Sequence, residues 1–213
     1  AHIPKALTPI ADKPILEIII NRLVNQGFRN FSLCVNYKKE MIQEYFLDGS
    51  RFNANINYVH ESKRLGTAGA LSNTNHQSIS YPCIVTNCDI LTTANFQDIL
   101  EHHEKESAAI TLGTRIINYE IPYGVLEMNN NQVHKINEKP SYDYQINAGV
   151  YILSKEVFDL VPKDTHFDMT DLIDLALSRK LKISTYPLSG YWIDIGQLED
   201  LEKARTDYES LGL

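Results

Sequence analysis

Pro14-Ile15-Leu16-Glu17-Ile18-Ile19-Ile20-Asn21-Arg22-Leu23-Val24-Asn25-Gln26-Gly27-Phe28-Arg29-Asn30-Phe31-Ser32-Leu33-Cys34-Val35 changes its hydrophobic pattern part-way along. Apolar side chains at Ile15, Ile18, Ile19, Leu23 and Val24 follow a helical period, opened by Pro14 and stopped by Gly27. Phe31–Val35 is then short and apolar, as a buried strand is. The alternation continues outward: Lys38–Leu47 reads as a helix ended by Asp48-Gly49, and Ile56–Val59 as a strand. Thr67–Asn73 opens as a helix, Cys83–Thr86 is an apolar strand, Phe96–Lys105 is helical and Ala108–Leu112 is a strand. Strands separated by helices imply βαβ units, and hence an α/β fold with a mostly parallel mixed sheet flanked by helices. In such sheets ligands bind outside the carboxyl ends of the strands, which directs attention to Asn36-Tyr37, residues 61–66 and Asn87-Cys88-Asp89.

The second half changes character. Tyr123–Met128 and Gln132–Ile136 flank Asn129-Asn130-Asn131, a β-hairpin signal. Ile146–Leu153 and Lys182–Tyr186 read as strands, and Thr170–Arg179 and Gln197–Tyr208 as helices. Without repeats, low-complexity tracts or linkers, residues 1–213 read as a single domain with a hairpin-bearing C-terminal half.

The 213 residues carry 20 Lys plus Arg against 27 Asp plus Glu, a formal charge of −7. That balance, without a basic run, argues against holding long nucleic acid by its phosphates. The stretch Ile15–Ile20 is interrupted by Glu17 and too short to span a bilayer, so no membrane partner is expected. Ala1–Lys5 has no apolar signal-peptide core, and Cys34, Cys83 and Cys88 show neither CxxC nor zinc spacing. A cytoplasmic protein with reduced, buried thiols is the expectation.

Several short motifs carry chemistry. Leu65-Gly66-Thr67-Ala68-Gly69-Ala70-Leu71 opens a helix without side-chain bulk, so a base or phosphate could approach its amides; alone, it reads more simply as a capped, Ala-rich turn. Asp89 follows a buried strand, where a carboxylate suits Mg²⁺ or merely caps a turn. Asp194 is a second lone acid, in Tyr191-Trp192-Ile193-Asp194-Ile195-Gly196. A buried carboxylate needs a cation or a donor, and two such acids could share one metal if the fold brings them together. In Glu138-Lys139-Pro140, the proline is expected to keep Lys139 extended, either aimed at a phosphate or in a solvated pair. Asn147-Ala148-Gly149 offers an amide with space beside it, or turn chemistry alone. Pro4-Lys5 offers a further cation, or an ordinary solvated lysine. Glu101-His102-His103-Glu104 lacks metal-site spacing and is expected to be a solvated helix face. No GxSxG, complete GxGxxG or P-loop motif occurs.

Taken in order, these pieces resemble the sugar-phosphate nucleotidyltransferases. Pro4-Lys5-Ala6-Leu7-Thr8-Pro9-Ile10-Ala11-Asp12-Lys13-Pro14-Ile15-Leu16-Glu17 is similar to the segment after that family's glycine-rich loop. Val35-Asn36-Tyr37, Leu65–Gly69, Asn87-Cys88-Asp89, Pro122-Tyr123-Gly124-Val125, Glu138-Lys139-Pro140, Asn147–Tyr151 and Trp192–Gly196 follow in the family's order, over nearly the whole chain. The likeness is greatest to the mannose-1-phosphate guanylyltransferase-like branch, which includes relatives that make GDP-activated amino sugars. It implies a Rossmann-like domain, nucleotide-binding over 1–115 and sugar-phosphate-binding over 116–213. Its substrates would be a nucleoside triphosphate, GTP first, and a sugar 1-phosphate such as mannose 1-phosphate or an amino-sugar 1-phosphate. The products would be an NDP-sugar and pyrophosphate. Carried over, Asp89 and Asp194 hold Mg²⁺, Lys5 contacts the nucleotide phosphates and Lys139 the sugar phosphate. Gly66, Thr67 and Gly69 line the base pocket with Asn36 nearby, and Tyr123, Gly124, Glu138, Asn147 and Gly149 surround the sugar.

That chemistry suits these residue types. The sugar phosphate is already an anionic nucleophile, so the site needs positioning and charge neutralisation rather than a general base. Two departures stand out: the family has Gly where Cys88 stands, and its first strand and GxGTRL loop are not found before Ala1. The expectation is that the natural chain continues upstream of Ala1. The alternative reading is a catalytically inactive, nucleotide-sugar-binding regulatory subunit. A homodimer is left open.

Overall fold

The computed structural model describes residues 3–211. A 3₁₀ turn at Lys5–Leu7 leads into a short antiparallel pair, β1 (Pro9–Ile10) and β2 (Lys13–Pro14), and then α1 (Ile15–Asn25). A parallel βαβ unit follows: β3 (Asn30–Val35), α2 (Lys39–Phe46) and β4 (Asn55–His60), with Asn30 opposite Asn55 and Val35 opposite His60. Next come α3 (Gly66–Gly69), β5 (Cys83–Thr86), β6 (Ile90–Thr92) and α4 (Phe96–Glu106). The remainder is β7 (Ile110–Glu120), β8 (Val125–Asn129), β9 (Gln132–Asn137), β10 (Ser141–Leu153), α5 (Lys155–Phe158), α6 (Met169–Ser178), β11 (Ile183–Pro187), β12 (Trp192–Asp194) and α7 (Leu198–Leu211).

The α/β class is as expected, with a central mixed sheet in the order β11-β7-β10-β5. Its pairing is less parallel than expected. Among the described residues β3–β4 and β11–β7 are parallel, whereas β10 runs antiparallel to both β5 and β7. The reason is local: β7 returns as β10 through a hairpin excursion without a crossover helix, and only antiparallel neighbours can be joined that way. Both strands outrun their expected limits. β7 continues past Leu112 to Glu120 and β10 begins at Ser141, making a two-stranded ribbon beyond the sheet. The Asn130 and Asn131 backbones take φ of 45° and 67°, the left-handed conformation that two-residue hairpin turns need and asparagine tolerates.

Helix α1 is apolar on two sides and serves two cores. Ile15, Ile18, Ile19 and Leu23 pack with Ile90, Leu91, Ile99 and Val150. Leu16, Ile20 and Val24 pack with Val35, Ile42, Phe46 and Ile56 under the β3–β4 pair. A third cluster joins Ala68 and Leu71 to Ile110, Leu153 and the α6 residues Met169 and Leu172. Full burial of one such side chain is worth roughly 1.5–3 kcal/mol.

Two sequence expectations are overturned here. His103 is not on a solvated face: it is 3% exposed, with Nδ1 2.8 Å from Thr111 Oγ1 and Nε2 3.0 Å from Ser154 Oγ. Ser154 donates its own proton to the Ala108 carbonyl at 3.1 Å, so His103 donates from Nε2 and accepts at Nδ1. Burial holds this neutral imidazole below the ordinary histidine value. The cysteines are free, but Cys34 and Cys88 reach the surface and Cys83 is half-buried. Cys34 lies on the exposed side of the alternating β3, and Cys88 on the loop after β5. The expectation about the chain before Ala1 lies outside the described residues.

Candidate active site

Asn87-Cys88-Asp89 turns the chain between the end of β5 and the start of β6. β12 runs antiparallel to β6 with Asp194 opposite Ile90, and the Ile195 amide donates to the Asp89 carbonyl at 3.0 Å. The two acids are therefore brought onto adjoining segments, which their separation in sequence could not show. Lys5, delivered by the 3₁₀ turn, donates to Asp89 Oδ2 and forms an ion pair with it. Asp89 Oδ1 is buried and has no hydrogen-bond partner among the described residues. Burial, and then the neighbouring Asp89 carboxylate, hold the Asp194 carboxyl above the usual carboxylate range; Lys5 pulls it down and Asp200 pushes it further up. This corner has two carboxylates for one lysine. Its spare oxygens could take a hard divalent cation together with ligand oxygens. Among the described residues no cluster of three or more His, Cys, Asp or Glu side chains is placed to hold a metal by itself.

A bulge in β10 adjoins this corner. Its register against β7 shifts between Asn147 and Tyr151. Asn147 is spent on the bulge: Oδ1 accepts from the Gly149 amide at 3.1 Å and Nδ2 donates to Tyr151 Oη at 2.8 Å. Gly149 adopts φ +71°, and a Cβ there would lie 3.0 Å from Asn87 Nδ2. The Asn87 amide donates to the Gly149 carbonyl at 3.2 Å, and Trp192 Nε1 donates to the Ala148 carbonyl at 3.0 Å. The β5–β6 loop, the bulge and β12 thus form one continuous wall.

The glycine loop is built otherwise. The Ala68 and Gly69 amides both donate to the Phe167 carbonyl, at 3.0 and 2.8 Å, and the Phe167 amide donates to the Leu65 carbonyl at 2.8 Å. The Thr67 amide donates to Asp168 Oδ1 at 2.9 Å, while Thr67 Oγ1 accepts from the Met169 amide at 2.8 Å. A Cβ on Gly66, whose φ is +80°, would meet Asp168 Oδ1 at 2.6 Å; one on Gly69 would meet the Thr165 carbonyl at 2.7 Å. Both glycines are thus required by the 165–168 segment. Asn36 joins this group through Glu61: Asn36 Nδ2 donates to the Glu61 carbonyl at 3.2 Å, and Glu61 Oε2 accepts from the Leu65 amide at 3.1 Å.

The remaining candidates sit at the root of the hairpin excursion. Tyr123 is 74% exposed, and a Cβ on Gly124 would lie 3.0 Å from Glu138 Oε2, so Gly124 and Glu138 are neighbours. Lys139 is exposed, but it is not extended as its following proline implied. Its φ is +44°, at a bend where residues 138–140 alone join β9 to β10. Proline disfavours the right-handed α region for its predecessor, and the left-handed turn evades that clash. Among the described residues, no hydrogen bond or ion pair joins Tyr123, Gly124, Glu138 or Lys139 to the two acids.

A family model for nucleotidyl transferases matches residues 1–210. This chain belongs to that family. It is 30% identical to the D-glycero-alpha-D-manno-heptose 1-phosphate guanylyltransferase of Aneurinibacillus thermoaerophilus, over 98% of this chain and 91% of that one. It is 29% identical to the UTP–glucose-1-phosphate uridylyltransferase of Synechocystis, over 95% of this chain but 57% of that protein. Among solved structures, HddC from Yersinia pseudotuberculosis complexed with GMP-PN superposes with a TM-score of 0.74 at 25% identity, over 98% of this chain and 91% of that one. The chain therefore spans nearly the whole of one relative and little more than half of the other.

Within this nucleotidyltransferase domain, sequence reasoning missed Asp168 and, although Asn87 and Trp192 lie in quoted motifs, gave those two no role of their own. Asp168 carried a legible signal, since Asp168-Met169-Thr170-Asp171 is a capping-box pattern and forms one: Asp168 caps α6 while gripping Thr67. Asn87 and Trp192 act through backbone carbonyls of the β10 bulge, which no local motif announces.

Proposed function

We propose that this domain joins a nucleoside triphosphate, GTP first, to a sugar 1-phosphate, mannose 1-phosphate or an amino-sugar 1-phosphate, releasing pyrophosphate. The observation that carries the reading is the meeting of Asp89 and Asp194 at a strand-end corner with Lys5 and an unpartnered carboxylate oxygen. A heptose-phosphate guanylyltransferase matched along 91% of its length supports guanine as the base and a sugar phosphate as the acceptor. A Mg²⁺ ion held by Asp89 and Asp194 would neutralise phosphate charge. Lys5, once exchanged from Asp89 to substrate, holds the nucleotide phosphates. Lys139 anchors the sugar phosphate with Glu138, Tyr123 and Gly124 beside it. Asn147 and Gly149 shape the sugar's side of the wall through the bulge, and Gly66, Thr67 and Gly69, with Asn36 behind them, shape the base side. The sugar phosphate oxygen attacks the α-phosphorus in line as pyrophosphate leaves, and the residues contribute positioning and charge. A cytoplasmic setting fits charged, soluble substrates, and among the described residues no helix is long and apolar enough to cross a membrane.

The test is pyrophosphate release by the full-length protein, across nucleoside triphosphates and sugar 1-phosphates with Mg²⁺. Release with one pair, abolished in Asp89→Asn and Asp194→Asn, supports the reading. Saturable nucleotide-sugar binding without release for any pair replaces it with the regulatory subunit.

A further inference from the structure

The glycine loop is held by a strap, residues 165–168, that enters from the other half of the chain, 101 positions separating Thr67 from Asp168. Phe167 takes the Ala68 and Gly69 amides on its carbonyl and returns its own amide to the Leu65 carbonyl. Asp168 Oδ1 takes the Thr67 amide at 2.9 Å and lies 3.4 Å from Thr67 Oγ1, which in turn accepts from the Met169 amide. Beneath this contact Ala68 and Leu71 share a core with Met169 and Leu172. Each backbone N–H is a single donor, so three consecutive amides given to the strap cannot also serve a ligand. What the loop offers outward is a backbone surface without side-chain bulk. A ligand that packs on such a surface depends on where the surface sits rather than on what it donates. Asp168 decides where it sits. The same residue is the N-cap of α6, in a capping box closed by its own amide donating to Asp171 Oδ2 at 2.8 Å. Its carboxylate therefore fastens the start of a helix to the loop, through a charge-assisted bond.

We propose that Asp168 is a positioning residue for the nucleotide: by tying the N-terminus of α6 to Thr67, it sets the surface on which the base of the nucleoside triphosphate packs. This rests on the reading of Gly66, Thr67 and Gly69 as the base side of the site. Asp168 acts through the loop, since its Oδ1 is turned to Thr67. The strap belongs to the half proposed to hold the sugar phosphate, so one carboxylate fixes the base side from the sugar's half of the chain. A misplacement of about 1 Å in a positioning element costs up to about 100-fold in rate or affinity. The two duties of Asp168 separate by side-chain length. Serine is as good an N-cap as aspartate, so it keeps α6 closed, but it is one bond shorter and leaves the Thr67 amide without its acceptor. Asparagine keeps an oxygen at the Oδ1 position and with it the grip on the loop.

The test combines calorimetric binding of GTP with pyrophosphate release by the full-length protein. In Asp168→Ser, the Kd and KM for GTP should rise about 10-fold, while kcat and the KM for the sugar 1-phosphate stay within about twofold. Asp168→Asn should bring GTP affinity back to within about threefold of the unaltered protein. A folded Asp168→Ser with unchanged GTP affinity overturns the proposal. So does one in which both substrates' constants worsen alike, or an Asp168→Asn as weak as the serine variant. Should the serine variant unfold, amide exchange of the unaltered protein with and without GTP reads the same coupling. Slowing of residues 66–69 together with 165–168 supports it, and no slowing at 66–69 overturns it. If another nucleoside triphosphate is the one that supports release, it replaces GTP in every arm. The functional reading fails in a different way. An unaltered protein that binds nucleotide but releases no pyrophosphate breaks that reading alone, and the change in Kd still decides the role of Asp168. An unaltered protein that binds no nucleoside triphosphate overturns both.

Discussion

The carboxylate corner is a short turn between β-strands and the glycine loop a single helical turn, and they treat their polar groups in opposite ways. At the corner, groups are left over: Asp89 Oδ1 has no partner among the described residues, and Asp194 is held up by burial and a like charge. In the loop, groups are spent: the Thr67, Ala68 and Gly69 amides are all committed to Phe167 or Asp168. An unpaired buried oxygen and crowded carboxylates weaken a fold unless something else completes them. A fully satisfied turn strengthens it. The corner is therefore where a ligand gains most, and the loop is where the scaffold does.

The largest effect should come from Asp89→Asn, which removes charge at the corner and weakens only the ion pair to the half-exposed Lys5. Catalytic efficiency should fall about 1,000-fold, worth about 4 kcal/mol of transition-state stabilisation, while metal-free melting is unchanged or higher. A melting point lower by several degrees would make Asp89 a structural residue and break the contrast. Gly66→Ala comes next and acts on the fold. A Cβ at φ +80° and 2.6 Å from Asp168 Oδ1 forces the 165–168 segment aside. The cost should be about 3 kcal/mol, or roughly 6–12 °C in Tm, read by calorimetry. Thr67→Val strips the acceptor from the Met169 amide and should cost about 1–2 kcal/mol in denaturant unfolding. Unchanged stability in both loop variants would mean that the loop is held by something other than Asp168 and Phe167.

The smallest effect is one of pH. Asp194 takes up a proton more readily folded than unfolded, so its contribution to stability is full below the ordinary carboxylate value. That contribution is lost as pH rises through its held-up folded value. Asp194→Asn should therefore melt above the unaltered chain at neutral pH in metal-free buffer, and the difference should vanish in acid. A variant that melts lower at neutral pH would remove Asp194 from the set of crowded acids.

Local periodicity made much of the fold legible. Pro14 and Gly27 bracket α1 to within two residues of its limits, and β5 begins and ends where its apolar run does. The ribbon was hidden because its strands leave the core, where only one face is apolar: Ile117 and Tyr119 alternate with Asn118 and Glu120 rather than forming a continuous run. His103 was hidden by its charged neighbours, although Phe96, Ile99 and His103 fall at helical spacing and form the buried stripe of α4. At the candidate site the sequence named Lys5, Asp89 and Asp194 but not their meeting, which depends on β12 pairing with β6. Nor could it show what the loop glycines are for, because Asp168 and Phe167 lie a hundred residues away.

The β10 bulge also sets the direction in which the ribbon leaves the sheet. One strand runs from the core at Leu153 to Ser141, beside Lys139, and its register breaks between Asn147 and Tyr151. From Asn147 to Ser141 the strand is a lever about 20 Å long, at roughly 3.4 Å per residue, so a bend of about 10° at the bulge swings its tip by about 3.5 Å. That travel is longer than a hydrogen bond. The placement of the strand end beside Lys139 is thus set at the bulge, where Asn147, Gly149, Asn87 and Trp192 hold the backbone.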